Sequence, residues 1–253
     1  MKRTLAIGDI HGGFKALKQV LERAKVTEND NLIFLGDYMD GWSESSQIIH
    51  FLMELSEKQE CIFIKGNHDA WTQDWLAFGN APDVWLFNGG QSTVESYSDY
   101  SFEDLETHLE FFEKMRNFFV DEENRLFIHA GYSSIYGPEN ELFTSNNRWD
   151  RSLWETAIAM GNRLGKNLEL YPKKFLLFNE IFIGHTPTLH LGEIYPVNKA
   201  NIWNLDTGAA FTGALTIMDI NTKEFWQSDT LPTLYPNERG RNYYNVTKKI
   251  NKM

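Results

Sequence analysis

Five short apolar runs, each closed by a polar cluster with glycine in or beside it, constrain this chain more than any other feature. They read TLAIGDIHGG, NLIFLGDYMD, CIFIKGNHD, RLFIHAGY and EIFIGHTPT. Their Leu, Ile and Phe residues are continuous rather than alternating, which suits strands covered on both faces. Between the first three runs lie FKALKQVLERAKV and SSQIIHFLMELSEK, each with apolar residues at helical spacing. The order predicts a βαβαβ start of a layered α/β domain. In such sheets a ligand sits beyond the carboxyl ends of the strands, where the polar clusters fall.

The whole chain, 1–253, reads as a single domain with a mostly helical insertion at about 70–124. Residues 138–174 are polar, rich in Asn and Arg, and expected to be only partly helical, able to supply a loop facing the site. IWNLDTG, GALTIMDI and KEFWQSD carry strand signals, from which a second, antiparallel sheet is expected. The basic stretch from about residue 237 is expected to be loosely held.

Lys and Arg number 24 against 35 for Asp and Glu, a net charge of −11, which opposes a nonspecific grip on nucleic acid. The single Cys61 lies in a strand and cannot form an intrachain disulfide. The start MKRTLAIGDIHGG lacks an apolar stretch of signal-peptide length, and no run approaches the roughly 18 apolar residues of a membrane span. A soluble, cytoplasmic protein without a membrane partner is expected.

The polar residues at the strand ends are Asp9, His11, Asp37, Asp40, Asn67, His68, His129 and His185. Carboxylate, imidazole and amide donors without thiolate suit catalytic divalent ions rather than a closed structural zinc site. Two ions about 3.5–4 Å apart require an anionic bridge, which an aspartate and a shared hydroxide provide; the same hydroxide is a nucleophile at neutral pH.

The series GDIHGG, GDYMDG, GNHD, HAG and GHTPT resembles the calcineurin-like metallophosphoesterases, and within them the phosphoprotein phosphatase branch and its bacterial serine/threonine phosphatases. The resemblance covers residues 1 to about 220. It implies a four-layer α/β/β/α sandwich, two mixed β-sheets flanked by helices. It also implies two divalent metal ions, with manganese expected first and iron or zinc acceptable to the same donors. Asp9 and His11 would bind the first ion, Asp37 would bridge, and Asn67, His129 and His185 would complete the second. His68 would protonate the leaving alkoxide, oriented by Asp40, while the metal-bridging hydroxide attacks phosphorus directly.

One departure stands out: the family block GD-x-x-DRG carries an arginine that grips phosphate, and here that position is Gly41. An arginine–phosphate contact contributes on the order of 1.5–3 kcal/mol. By resemblance to the W-x-R segment of bacterial members and diadenosine tetraphosphate hydrolases, NNRWDRSLW supplies Arg151 as first candidate and Arg148 as second. His50, His108 and His190 are read as structural, and Asp206 as a turn residue or a neighbour of the metal set. Trp71, Trp75 and Phe78, at helical spacing, are expected to pack in the core; base stacking would need one of them, or Trp42, to face the cleft.

The expected activity is hydrolysis of phosphomonoesters, with a phosphorylated protein or a small phosphate ester as substrate. The alternative is a nucleotide or diadenosine tetraphosphate hydrolase, which the aromatic-rich insertion and Gly41 favour. A noncatalytic binding scaffold is the third reading; such proteins tend to lose the catalytic histidine, whereas His68 is present.

Overall fold

Alternation within the apolar runs sets the layering. In the computed structural model, which describes residues 2–161 and 169–242, the strands in chain order are β1 (Thr4–Ile7), β2 (Asn31–Phe34), β3 (Cys61–Phe63), β4 (Phe118–Val120), β5 (Arg125–Ile128), β6 (Glu180–Ile183), β7 (Val197–Lys199), β8 (Ile202–Asn204), β9 (Thr216–Asp219) and β10 (Phe225–Gln227). One sheet has the order β10-β9-β1-β2-β3 and the other β4-β5-β6-β8-β7. Each has three adjacent parallel strands: β1-β2-β3, with β9 and β10 added antiparallel on the β1 side, and β5-β6-β8, with an antiparallel strand on either side.

Successive side chains of a strand point to opposite faces. Leu5, Ile7, Leu32 and Phe34 therefore join Leu17, Val20, Ile48 and Leu52 of helices α1 (Phe14–Arg23) and α2 (Ser45–Lys58). The intervening Ala6 and Ile33 turn the other way, into a core shared with Phe127, Phe182 and Met218 of both sheets. Phe127 and Phe182 stack there, rings 5.0 Å apart and 9° from parallel. On the far side Leu126, Ile128, Ile181 and Ile183 pack against Leu153, Trp154 and Ala157. The product is an α/β fold of two mixed five-stranded sheets between helices, with the expected βαβαβ start.

The expected separate antiparallel sheet at the C-terminal end does not form. β8 pairs parallel with β6, whereas β9 pairs antiparallel with β1, so these strands are divided between the two sheets. The apolar runs at the sheet centres leave an open edge on each, and the late strands complete both.

The helical stretch runs from α3 (Asn67–Phe78) through short helical segments between Asp83 and Ser96 to a helix at Phe102–Lys114. Gly79 stops α3 in the left-handed region, φ 68°. A reciprocal capping box starts the later helix: Asp104 N–H donates to Ser101 Oγ at 3.2 Å, and Ser101 N–H to Asp104 Oδ2 at 3.0 Å. The expected loose tail is corrected for residues 237–242: Glu238 accepts from Ser43 N–H and Oγ, and Arg241 N–H donates to Ala210 O at 2.9 Å. Residues 243–253 of that stretch lie outside the described residues. No helix among the described residues is long and apolar enough to cross a membrane.

His108 is buried in this helical layer, its Nδ1 2.9 Å from Tyr97 Oη. Burial, then the charge of His50, push its pKa down to about 4. The unfolded chain binds that proton more tightly, so His108 stabilises the fold fully above about pH 6.5 and progressively less as pH falls towards 4. The loss at pH 5 is at most about 2 kcal/mol. Thermal unfolding at pH 7 and pH 5 should therefore show a smaller drop in Tm for His108→Gln than for the wild type; an equal drop contradicts the assignment.

Candidate active site

The polar clusters converge at the carboxyl ends of the central strands, and the chain is bent sharply to bring them there. Of eight non-glycine residues with positive φ among the described residues, four are His11, Asp37, Asp40 and His185, at 52°, 53°, 70° and 67°. Such conformations cost on the order of 1–3 kcal/mol each and persist where surrounding bonds impose them.

Those bonds are visible. Asp69, last residue of GNHD, accepts from the N–H groups of Asp37 at 2.7 Å, Tyr38 at 2.9 Å and Gly66 at 2.7 Å, pinning the loops after β2 and β3 together. Asp37 O in turn accepts from the N–H groups of Ile10 at 3.0 Å and His11 at 2.9 Å, which adds the loop after β1. His129 Nδ1–H donates to Leu35 O at 2.8 Å and His11 Nδ1 lies 3.0 Å from Asp40 O, so both rings turn Nε2 inward.

The inward atoms cluster around Asp37. His129 Nε2 lies 3.3 Å and His11 Nε2 3.6 Å from Asp37 Oδ2, and Asn67 Oδ1 is 3.2 Å from His129 Nε2. Among the described residues, two groups have donor atoms close enough to hold an ion, His11–Asp37–His68 and Asp37–His129–His185. Asp37 belongs to both. Asp9 lies alongside, Oδ2 3.9 Å from His11 Nε2 and accepting from His185 N–H at 3.0 Å. Gly184 lets it approach, since a Cβ there would strike Asp9 Oδ1.

Two observations fit this donor set to divalent ions. Asp9 Oδ1 and His185 Nε2 are buried with no hydrogen-bond partner, although buried polar atoms normally have one. Burial, and then the charge of Asp206, also push the Asp9 carboxyl well above its ordinary range; although burial acts the same way on Asp37, the neighbouring His129 and His68 hold that carboxyl well below it. Carboxylates crowded in this way gain most from cations.

Beside this cluster His68 Nδ1 contacts Asp40 Oδ2 at 2.6 Å. Asp40 is held by two residues the sequence reading missed: Trp85 Nε1–H donates to Oδ2 at 2.7 Å and Thr93 Oγ1–H to Oδ1 at 2.6 Å. Both come from the helical stretch, so that segment shapes the site. Burial pushes the Asp40 carboxyl up to about 7, with Thr93 and Trp85 pulling the other way.

A cavity of about 270 Å³ opens over these groups, lined among others by Trp71, Trp149, Phe211, Arg151 and Arg241. Of the two arginine candidates, Arg151 lines it, whereas Arg148 lies outside the lining and donates to Asn117 Oδ1 at 3.3 Å. His190 and Asp206 also reach the lining. The expected common core face of α3 divides. Trp71 meets Trp149, rings 5.0 Å apart; Trp75 packs on Trp85 and Tyr97; Phe78, past the edge of the fold, is 82% exposed. Trp42 is buried, its Nε1–H donating to Ala209 O at 2.7 Å. Arg241 and Phe211 were not foreseen, and the only sequence signals for the former are the gap at Gly41 and the basic composition of the last residues.

The calcineurin-like phosphoesterase family model matches residues 2–206. The chain is 25% identical over 235 residues to the asymmetrical bis(5'-nucleosyl)-tetraphosphatase PrpE of Oceanobacillus iheyensis, covering 87% of this chain and 89% of that protein. It is also 25% identical over 287 positions to the symmetrical bis(5'-nucleosyl)-tetraphosphatase of Buchnera aphidicola subsp. Baizongia pistaciae, covering 90% and 98%. A solved structure of a provisionally named diadenosine tetraphosphatase shares the fold, with a TM-score of 0.62, 15% identity and coverage of 89% and 92%. The chain belongs to the calcineurin-like phosphoesterase family, whose members use a dinuclear metal centre, and is a hydrolase acting on phosphoester bonds.

Proposed function

We propose that the protein hydrolyses a nucleoside polyphosphate of the bis(5'-nucleosyl) tetraphosphate class, in preference to the phosphoprotein first expected. The observation that carries this reading is the cavity wall. Trp71, Trp149 and Phe211 line the same space as His68 and Arg151. A nucleobase stacked on such a ring gains about 1–3 kcal/mol, a contact that a phosphoserine side chain cannot make. The two tetraphosphatase relatives support the same substrate class.

Asp9, His11, Asp37, Asn67, His129 and His185 would hold two divalent ions, manganese first among them. When bound, these ions supply Lewis acidity and activate water at neutral pH. The chain's own residues do the remaining work. Arg151 meets phosphate oxygens at the mouth. Asp40 fixes the His68 ring, and His68 delivers a proton to the departing oxygen. Burial, and then the charge of Arg241, push the His68 pKa down to about 3. The acid role requires the imidazolium, with Nδ1–H held by Asp40 and a proton taken up from solvent on Nε2, a form that an incoming anionic phosphate favours.

Two outcomes test this. On manganese-reconstituted protein, dinucleoside tetraphosphate should be turned over faster than a phosphopeptide, and Trp149→Ala should raise KM for the nucleotide roughly 5- to 100-fold while leaving a small alkyl phosphate within about twofold. Turnover of the phosphopeptide without nucleotide cleavage contradicts the assignment. Asp37→Asn, which removes the carboxylate common to both groups, should lose bound manganese and turnover together; full metal content with full activity would sink the role of Asp37.

A further inference from the structure

We propose that Arg241, carried by the C-terminal segment, is the phosphate-gripping arginine that the GDYMDG block lacks. The assignment rests on reading this cavity as a phosphoester site.

The geometry at Gly41 is the starting point. A Cβ built on Gly41 would lie 3.4 Å from Arg241 Cγ, and one built on Gly89 would lie 3.2 Å from the same atom. The two glycines have φ of 122° and 108°, conformations that residues with side chains rarely adopt. Gly41 N–H donates to Gly89 O at 3.2 Å, which ties the pair together. They form a bed for the aliphatic stem of Arg241. The stem of an arginine from the other end of the chain therefore packs beside Gly41, the position at which the family block carries its arginine.

The next residue anchors the segment that brings it. Tyr235 stacks on Trp42, rings 5.2 Å apart, and Gly240 packs so closely against the Trp42 ring that a Cβ would lie 2.6 Å from it. Arg241 N–H donates to Ala210 O at 2.9 Å and fixes the backbone beside the cavity. Gly41 thus makes room for the side chain, and Trp42 docks the backbone.

The guanidinium is positioned and its charge is left available. Nη2–H donates to Asn88 Oδ1 at 3.3 Å, and the group lies 5.3 Å over the Phe211 ring. Both partners are neutral, and among the described residues Arg241 makes no ion pair with a carboxylate. It lines the cavity together with His11, Asp37 and His68, and with Arg151. A half-buried cation held by neutral groups beside a candidate metal cluster is suited to an anion that bridges the two. Arg241 and Arg151 give a polyphosphate two cationic contacts, so the C-terminal segment is a working part of the site.

Calorimetry of inorganic phosphate binding to the full-length, manganese-loaded protein tests the assignment without relying on turnover. Arg241→Ala should weaken phosphate binding roughly 10- to 100-fold with manganese stoichiometry and Tm unchanged. Arg241→Lys should recover part of the loss, as should added guanidinium with Arg241→Ala. Arg239→Ala, which removes an exposed charge from the same segment, should bind phosphate like the wild type. Wild-type affinity in Arg241→Ala, or a parallel loss of phosphate and manganese, overturns the role. A wild-type protein that binds manganese but no phosphate overturns the phosphoester reading and this assignment together, so the two failures are distinguishable.

Discussion

Mutual repulsion among buried carboxylates is the constraint on which this structure depends. Asp9, Asp37 and Asp206 are all nearly inaccessible to water, at 2% exposure each, and all belong to loops that meet at the sheet ends. Like charges in so dry a setting are costly unless cations or hydrogen-bond donors offset them. The fold supplies donors where it can, through N–H groups and inward imidazoles. Where it does not, Asp9 Oδ1 and His185 Nε2 are left without a partner. In the proposed reading divalent ions would complete the balance, held where the strained turns at His11, Asp37 and His185 converge.

A division of labour follows from the layering. The central strands, covered on two faces, are supports whose ends carry the candidate metal donors. The helical stretch after β3 plays a different part, since Trp85 and Thr93 fix Asp40, and Asp40 fixes His68. The C-terminal segment adds a third layer of control by seating Arg241 against Gly41. On the proposed reading, the candidate metal donors belong to the sheets, the bonds that orient His68 to the helical stretch, and the added phosphate contact to the C-terminal segment.

The convergence of the candidate donors was legible in the sequence because each strand end carries its polar residue beside a glycine, all within a few residues. The βαβαβ start was legible for the same reason: helical and strand periodicity are local. What sequence reading missed depends on distant partners. Trp85 and Thr93 sit in an amphipathic region where nothing local separates a core aromatic or a turn threonine from a residue bonded to Asp40. Trp71, Trp75 and Phe78 share a helical spacing, yet the surroundings change along α3 from cavity to core to solvent. The split of the late strands between two sheets reflects which edges were open, a property of the assembled fold. Arg241 was read as part of a loose basic end because its setting, Gly41, Gly89 and Trp42, lies far earlier in the chain.

The most direct test of the account is a crystal structure of the protein soaked with manganese and phosphate, with anomalous diffraction used to locate the ions. The account predicts two anomalous peaks that share Asp37, with Asp9 and His11 on one side, Asn67, His129 and His185 on the other, and phosphate contacting both. A single peak, or two peaks that do not share Asp37, would contradict it.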